Sequence, residues 1–213
     1  MSEWPDRDPG NGSRASHSVE CRPYDPADVG DRETLWRLKR SFETDLGTGT
    51  GDDDKRATYA AKLTDDYRSR WLAWVDRCVA DDERCVTLAV VDDEVEEVVD
   101  DEVEGNDSAD VEADAAADLE ADSTTIAGYV FVLPERLAYI WDAAVVNEIY
   151  VAPEWRGTRV ADALLEAAVD LAVDQDLPLE RLLLDVDPDN ERAYAFYERH
   201  GFEPWGEIVA RKL

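Results

Sequence analysis

The chain has 213 residues, of which 44% are hydrophobic, enough for one substantial core. Its 52 acidic residues outnumber its 22 basic residues and give a formal net charge of -30 at pH 7. This charge disfavours a nucleic-acid partner, because no basic stripe is present to displace counterions from phosphates. We interpret the charge as surface adaptation to multimolar salt rather than capture of a basic partner, since the excess is spread along the chain.

The chain carries few signals for a compartment. Three cysteines, Cys21, Cys78 and Cys85, have neither metal-ligand nor redox spacing, and this sparse count suits a reducing cytosol. Residues 1–16 are expected to be a mobile tail without the apolar segment of a signal peptide. No apolar run approaches membrane-spanning length. We therefore expect a cytoplasmic protein without a membrane partner.

The first half of the chain is predicted to contain two strands and two helices. A strand over Ser18–Tyr24 is followed by a helix over Asp28–Leu46, which the loop GTGTGDDD ends. Apolar residues at three- and four-residue spacing predict a second helix from Lys55 to about Val79. Cys85–Val91 is predicted to be the second strand.

An acidic segment interrupts the pattern at residues 92–122. It contains 16 Asp or Glu residues and no Lys or Arg. With too little apolar material for a core of its own, it is interpreted as a solvated insertion between two strands. The alternative is an acidic docking arm for a cationic partner.

The second half alternates strands with helices. The helices cover Thr158 to about Val173 and Asn190–His200, the latter capped by Asp189 or Asn190. This order indicates one mixed α/β domain over residues 17–213, with a parallel crossover around the third helix. The predicted strands are Thr124–Leu133, Ala143–Val151, Leu182–Val186 and Gly206–Leu213.

The stretch NEIYVAPEWRGTRVADALL, residues 147–165, predicts a strand, a tight turn and a helix start. The N–H groups of a first helical turn have no intrahelical acceptors and lie at the positive end of the helix dipole. Gly157 permits close approach of the backbone. Such a turn is suited to binding a diphosphate.

A second motif, LLLDVDPDNERAYAFYERHGF, follows at residues 182–202. The two motifs together resemble those of the GNAT superfamily of acyl-CoA N-acyltransferases, closely over residues 124–205. The first family motif, Q/R-x-x-G-x-G/A, is matched by Arg156–Ala161, although Arg159 stands where the family usually has a second glycine. The second motif is matched by Asn190, Ala193, Phe196, Tyr197, Gly201 and Phe202. The acidic composition is haloarchaeal-like.

The resemblance implies a GNAT-like fold, with a central mixed sheet, splayed parallel strands and flanking helices. Acetyl-CoA would be the co-substrate, with its pantetheine arm between strands that end near Val151 and Val186. It implies that the arm pairs with the backbone of Ile149 and Val151 and meets Asn190, and that Arg192 lies near the nucleotide. The diphosphate would lie on the amides of Arg156, Gly157, Thr158, Arg159, Val160 and Ala161.

The resemblance also implies two proton transfers. Tyr197 is the candidate acid for the departing thiolate, because a phenol is protonated at neutral pH. Glu148 is the candidate base for the amine, directly or through water, with Asp142 or Asp185 as alternatives. No cluster of residues has metal-ligand spacing, so we expect no metal.

These motifs predict an N-acetyltransferase that acts on a primary amine of a small molecule or a protein. The alternative is a non-catalytic GNAT-like module that binds CoA or an amine as a sensor or interaction partner. A homodimer is compatible with either function.

Overall fold

The computed structural model describes residues 17–48, 53–92, 124–206, 208–209 and 211. The expected tail at residues 1–16 and the acidic insertion beyond residue 92 lie outside the described residues. The strands are β1 (Val19–Pro23), β2 (Val86–Asp92), β3 (Thr124–Val132), β4 (Ala144–Val151) and β5 (Leu182–Leu184). The α-helices are α1 (Val29–Thr48), α2 (Asp53–Ala61), α3 (Asp65–Val79), α4 (Glu135–Ala138), α5 (Val160–Asp174) and α6 (Glu191–Arg199).

The described strands form one sheet in the order β1-β2-β3-β4-β5. The first three pairings are antiparallel, and β4 pairs with β5 in parallel. A parallel pair needs a crossover connection, and α5 supplies it. The expected mixed α/β architecture with a parallel crossover is thus confirmed.

Helices cover both faces of the sheet. On one face, α1 and α3 pack through residues such as Leu35 and Trp71 against Tyr129 and Phe131 of β3. On the other face, α5 packs its apolar stripe against β2, β3 and β4. The central strand β3 is therefore buried on both sides over most of its length.

Two of the predicted elements are wrong. The helix expected from Lys55 to Val79 is two helices, because the Thr64 side chain accepts a hydrogen bond from the Tyr67 N–H (3.2 Å) and caps a new helix. In the strand expected over Gly206–Leu213, none of the described residues is in a strand. Ile208 and Val209 are 67% and 89% exposed there, so neither side chain packs in the core.

The end of β4 is where the sheet opens. Val132 pairs with Val146 and Phe131 with Glu148, so Asn147 is an extra residue, a β-bulge in β4. Pairing with β5 ends at the neighbouring residue, Val146. Residues 147–151 therefore continue along β3 with no β5 residue beside them, which leaves a gap between two parallel strands.

Gly128 allows β3 and β4 to lie close together beside this gap. It pairs with Val151, and a Cβ at this position would lie 2.5 Å from the carbonyl oxygen of Tyr150. Glycine is required here for close approach of two backbones.

Within the described residues, no helix is both long enough and apolar enough to span a membrane.

Candidate active site

The chain leaves β4 through a single turn of 3-10 helix, Pro153–Trp155, before α5 begins. Gly157 has φ +83°, a left-handed conformation that strains any other L-residue. Arg159 precedes α5 with φ -79° and ψ -3°, which is helical backbone. The conformation at residue 159 therefore does not demand glycine, which explains how arginine is accommodated there.

Several N–H groups of this turn point away from the protein's own acceptors. Arg156 and Thr158 donate to the carbonyl oxygens of Pro153 and Trp155 at 3.3 and 3.4 Å. By contrast, the N–H groups of Gly157, Arg159 and Ala161 have no acceptor in the part of the chain that the structure describes. Unpaired donors at the start of a helix attract an anion, because the helix dipole adds positive potential.

The Arg156 side chain ties this turn to its surroundings. Its Nε donates to the carbonyl oxygen of Val151 at 3.0 Å, and its Nη2 lies 2.5 Å from a carboxylate oxygen of Asp45 in α1. The guanidinium also lies over the ring of Tyr150, 5.4 Å from its centre. The guanidinium is thus bound to protein partners, and the predicted contact of Arg156 with the cofactor stays a prediction.

Helix α6 is positioned by both of its ends. The Asn190 side chain accepts from the Ala193 N–H at 3.1 Å, which confirms the cap expected from the sequence. At the other end, Gly201 has φ +82°, and Phe202 donates its N–H to the Tyr197 carbonyl oxygen at 3.0 Å. These bonds form a Schellman motif, which fixes the last turn of the helix. The side chain of Arg192 is exposed.

Tyr197 lies in that last turn. Its ring centre is 5.5 Å from that of Phe202 and 5.3 Å from that of Phe196. Burial raises the pKa of Tyr197 to about 12, because the phenolate loses solvation. The hydroxyl therefore stays protonated at neutral pH and is able to donate a proton or hydrogen bond.

A link that sequence reasoning missed joins α6 to the start of α5. Asp162, in the first turn of α5, accepts from Arg199 at 3.1 Å, and its Oδ1 lies 2.8 Å from His200 Nε2. Its position in a first helical turn was the available signal, since acidic residues are favourable there. The link connects the helix that carries Tyr197 to the anion-attracting turn.

Glu148, the candidate base, faces α1 in a buried position. Its Oε1 lies 2.5 Å from Lys39 Nζ and accepts from Asn147 at 3.1 Å, while its Oε2 accepts from the Tyr129 hydroxyl at 2.7 Å. Sequence reasoning missed Lys39 and Tyr129. The signal for Lys39 was its position four residues after Leu35, in the apolar stripe of α1.

The two alternative carboxylates lie elsewhere. Asp142 precedes β4, at the end of the strand remote from the gap, and it is exposed. Asp185 directly follows β5 at the open end and is also exposed. Ile149 and Val151 follow Glu148 in the part of β4 that does not pair with β5, and their side chains pack on the α5 side. Of the three candidate bases, Glu148 is therefore the one buried beside the gap.

A model of the acetyltransferase (GNAT) family matches residues 93–202, just over half of the chain. The chain belongs to the GNAT acetyltransferase family. This membership supports acyl transfer from acyl-CoA to an amine as the general chemistry.

Solved structures agree on the fold. The PaiA N-acetyltransferase of Thermoplasma acidophilum, in complex with coenzyme A, has a TM-score of 0.55 at 18% identity, over 87% of this chain and 90% of that one. A GCN5-related N-acetyltransferase of Ralstonia eutropha JMP134 has a TM-score of 0.53 at 15% identity, over 92% and 99%. At these identities the likeness shows the GNAT fold alone.

A sequence relative is a Bacillus subtilis (strain 168) protein assigned as a ribosomal protein bS18-alanine N-acetyltransferase. It is 33% identical over 67 residues, which are 32% of this chain and 43% of the relative. The similarity thus spans less than half of the relative's length.

Proposed function

We propose that the chain transfers an acetyl group from acetyl-CoA to a primary amine of a small molecule or a protein. The observation that carries this proposal is the set of unpaired N–H groups at Gly157, Arg159 and Ala161, next to the gap where β4 has no β5 partner. The gap suits an extended arm, and the N–H donors at its end suit a diphosphate, to which they would donate hydrogen bonds. Acetyl-CoA has both parts in that order.

In this proposal the pantetheine arm extends along β4 and pairs with the backbone of Ile149 and with the N–H of Val151, whose carbonyl oxygen accepts from Arg156 Nε. The diphosphate rests on the turn from Arg156 to Ala161. Gly157 suits this place because it has no side chain, and the space where a Cβ would lie contains no other atom within 4 Å. Asn190 caps α6 through its side-chain oxygen, so its side-chain NH₂ remains available to donate to the arm.

The reaction forms a C–N bond and breaks a C–S bond. The neutral amine attacks the thioester carbonyl carbon, and CoA leaves as a thiolate. Glu148 accepts the proton that the amine loses, directly or through one water, and Tyr197 donates a proton to the thiolate. Burial keeps the Tyr197 hydroxyl protonated, so the proton that the thiolate needs is present on it.

We take the acceptor class from the family and not from the surface charge, which we interpret as salt adaptation. The Bacillus subtilis relative is assigned to an alanine of ribosomal protein bS18. A short peptide that begins with alanine is therefore the first acceptor to test, with a lysine-containing peptide and a small diamine as alternatives. Because acetyl-CoA is an intracellular metabolite, we place the reaction in the cytoplasm.

Calorimetry in multimolar KCl tests binding, and release of free thiol from acetyl-CoA tests turnover with each acceptor. We expect acetyl-CoA to bind and at least one acceptor to release thiol. Binding without thiol release across the panel would favour a sensor over an enzyme. If no CoA species binds in concentrated salt, the proposed function is wrong.

A further inference from the structure

Charged side chains lie in the core beside the end of β4. Lys39 and Glu43, one turn apart in α1, have side chains that are each 3% exposed, and the Glu148 side chain is 6% exposed. Taking ions out of water costs several kcal/mol each, unless they are paired with good geometry. A packed core has no need of such charges, so their position beside the proposed reaction site calls for a role.

Lys39 bridges the two carboxylates. Its Nζ lies 2.5 Å from Glu148 Oε1 and 2.6 Å from Glu43 Oε1. The other oxygen of Glu43 lies 2.7 Å from Nζ of Lys62, a half-exposed residue at the surface. Burial acts to lower the pKa of Lys39, but the charges of Glu148 and Glu43 outweigh burial and raise that pKa. Lys39 is therefore an ammonium ion at neutral pH.

The remaining polar groups that contact Glu148 and Glu43 are neutral hydrogen-bond donors. Tyr129 of β3 donates to Glu148, and Tyr67 of α3 donates to Glu43 at 3.3 Å. Burial, and then the charge of Glu148, raise the pKa of Tyr129 well above its usual value, so it remains a neutral donor. Within the described residues, Lys39 is the cation in direct contact with Glu148.

The hydrogen bonds of Glu148 do not use all the acceptor sites of its carboxylate. A carboxylate has about four lone-pair sites, and three of them are used by Lys39, Asn147 and Tyr129. About one site remains for an acceptor amine or a bridging water. A base held by three hydrogen bonds has a fixed direction, and the ammonium ion beside it compensates its charge in the core.

We propose that Lys39 is a positioning residue for acyl transfer, whose ammonium ion balances the charge of the buried Glu148 carboxylate and holds it directed at the acceptor. Glu43 is the second carboxylate on Lys39, and Lys62 supplies the second positive charge, so the charges of the four groups sum to zero. The inference rests on the proposed function, since it concerns the base of that reaction. Lys39 itself touches neither substrate nor cofactor in this proposal.

The test removes the cation and leaves Glu148 as the one buried carboxylate of the cluster. Lys39→Met alone strands two buried carboxylates, so it is combined with Glu43→Gln, which keeps the total charge of the cluster unchanged. Lys39→Arg is the matched control, because it retains the positive charge. The pH dependence of kcat/KM is measured for all proteins with one acceptor, so that the ionisation of the amine is common to every profile.

We expect the acid side of the profile to move up by about 1–3 pH units in the double variant, since an opposite charge within 4–6 Å shifts a carboxyl by that amount. The Arg variant should keep the wild-type profile. An unchanged acid side in an active double variant overturns the inference, and so does a shift in Lys39→Arg as large as that in the double variant.

Infrared spectroscopy gives a second readout that does not depend on turnover. The carboxyl stretch of Glu148, isolated by subtracting the spectrum of a matched Glu148→Gln protein, should appear at higher pH in the double variant than in the wild type. An equal pH of appearance overturns the role of Lys39. If the wild-type protein shows no turnover, but the carboxyl stretch still appears at higher pH in the double variant, the proposed function is wrong and the electrostatic inference is supported.

Discussion

Replacing Gly157 by alanine separates two effects at the turn after β4. Gly157 has φ +83°, and an added Cβ would meet no atom within 4 Å. The protein alone therefore imposes a conformational cost and no steric clash. A bound diphosphate, in the proposed position, would meet either the new methyl group or a peptide that has rotated to relieve the strain.

The structure provides a matched control in Gly201, at the end of α6. It has φ +82°, and its added Cβ also meets no atom within 4 Å. A left-handed L-residue costs about 1–2 kcal/mol, so each alanine should lower the melting temperature by about 2–8 °C for a chain of this size. A lost hydrogen bond to a charged group is worth about 1.5–3 kcal/mol, which is about tenfold or more in affinity.

Thermal unfolding and calorimetry with acetyl-CoA, both in multimolar KCl, measure the two effects. We expect similar losses of stability in the two variants, and an affinity loss of about tenfold or more in Gly157→Ala only. If the two variants bind acetyl-CoA equally well, the turn is not the diphosphate site. If Gly157→Ala is as stable as the wild type, the argument from its φ angle is wrong.

Three further predictions concern the acid, the sheet and the charge. Tyr197→Phe should lower kcat by about 100-fold or more with little change in acetyl-CoA affinity, and an unchanged kcat in this variant would exclude Tyr197 as the acid. In the wild-type protein, kcat should show no loss from Tyr197 ionisation at mildly alkaline pH, since burial raises the pKa of Tyr197 to about 12. Gly128→Ala should lower the free energy of unfolding by about 1–3 kcal/mol, because its Cβ would lie 2.5 Å from the Tyr150 carbonyl oxygen, whereas Gly206→Ala, with no atom within 4 Å, should be neutral in the same denaturation experiment. Equal stability of these two glycine variants would contradict the close approach of β3 and β4. Lowering KCl from multimolar to dilute buffer should lower the melting temperature, because the net charge of -30 is then less screened, and a melting temperature independent of salt would refute salt adaptation.

Local patterns in the sequence predicted most of the elements. Apart from α4, which was not predicted, the strands and helices from β1 to α6 follow apolar periodicity and caps, both of which act over a few residues. The break at Thr64 was missed because apolar spacing continues through Leu63 and Tyr67 on both sides of it. The spacing reports which face is buried, and the capping hydrogen bond decides where the helix restarts.

Contacts between distant parts of the chain could not be predicted in this way. Lys39 and Glu148 are 109 positions apart, and nothing local to either residue indicates the other. The turn at residues 156–161 was found because its geometry is local, and Tyr197 because its motif is. The environment of Glu148 needed the structure, because it depends on how α1 packs over β4.

The bulge at Asn147 explains why the gap and the candidate base occur together. Neighbouring residues of a strand alternate between faces, so Val146 and Glu148 would share a face in a regular strand. Val146 packs on the α5 side, yet Glu148 contacts Lys39 on the α1 side. The extra residue reverses the alternation, and pairing with β5 ends at the same point. One local irregularity thus turns a carboxylate toward α1 at the point where the parallel pairing stops, whereas in a regular strand Glu148 would face α5 with Val146.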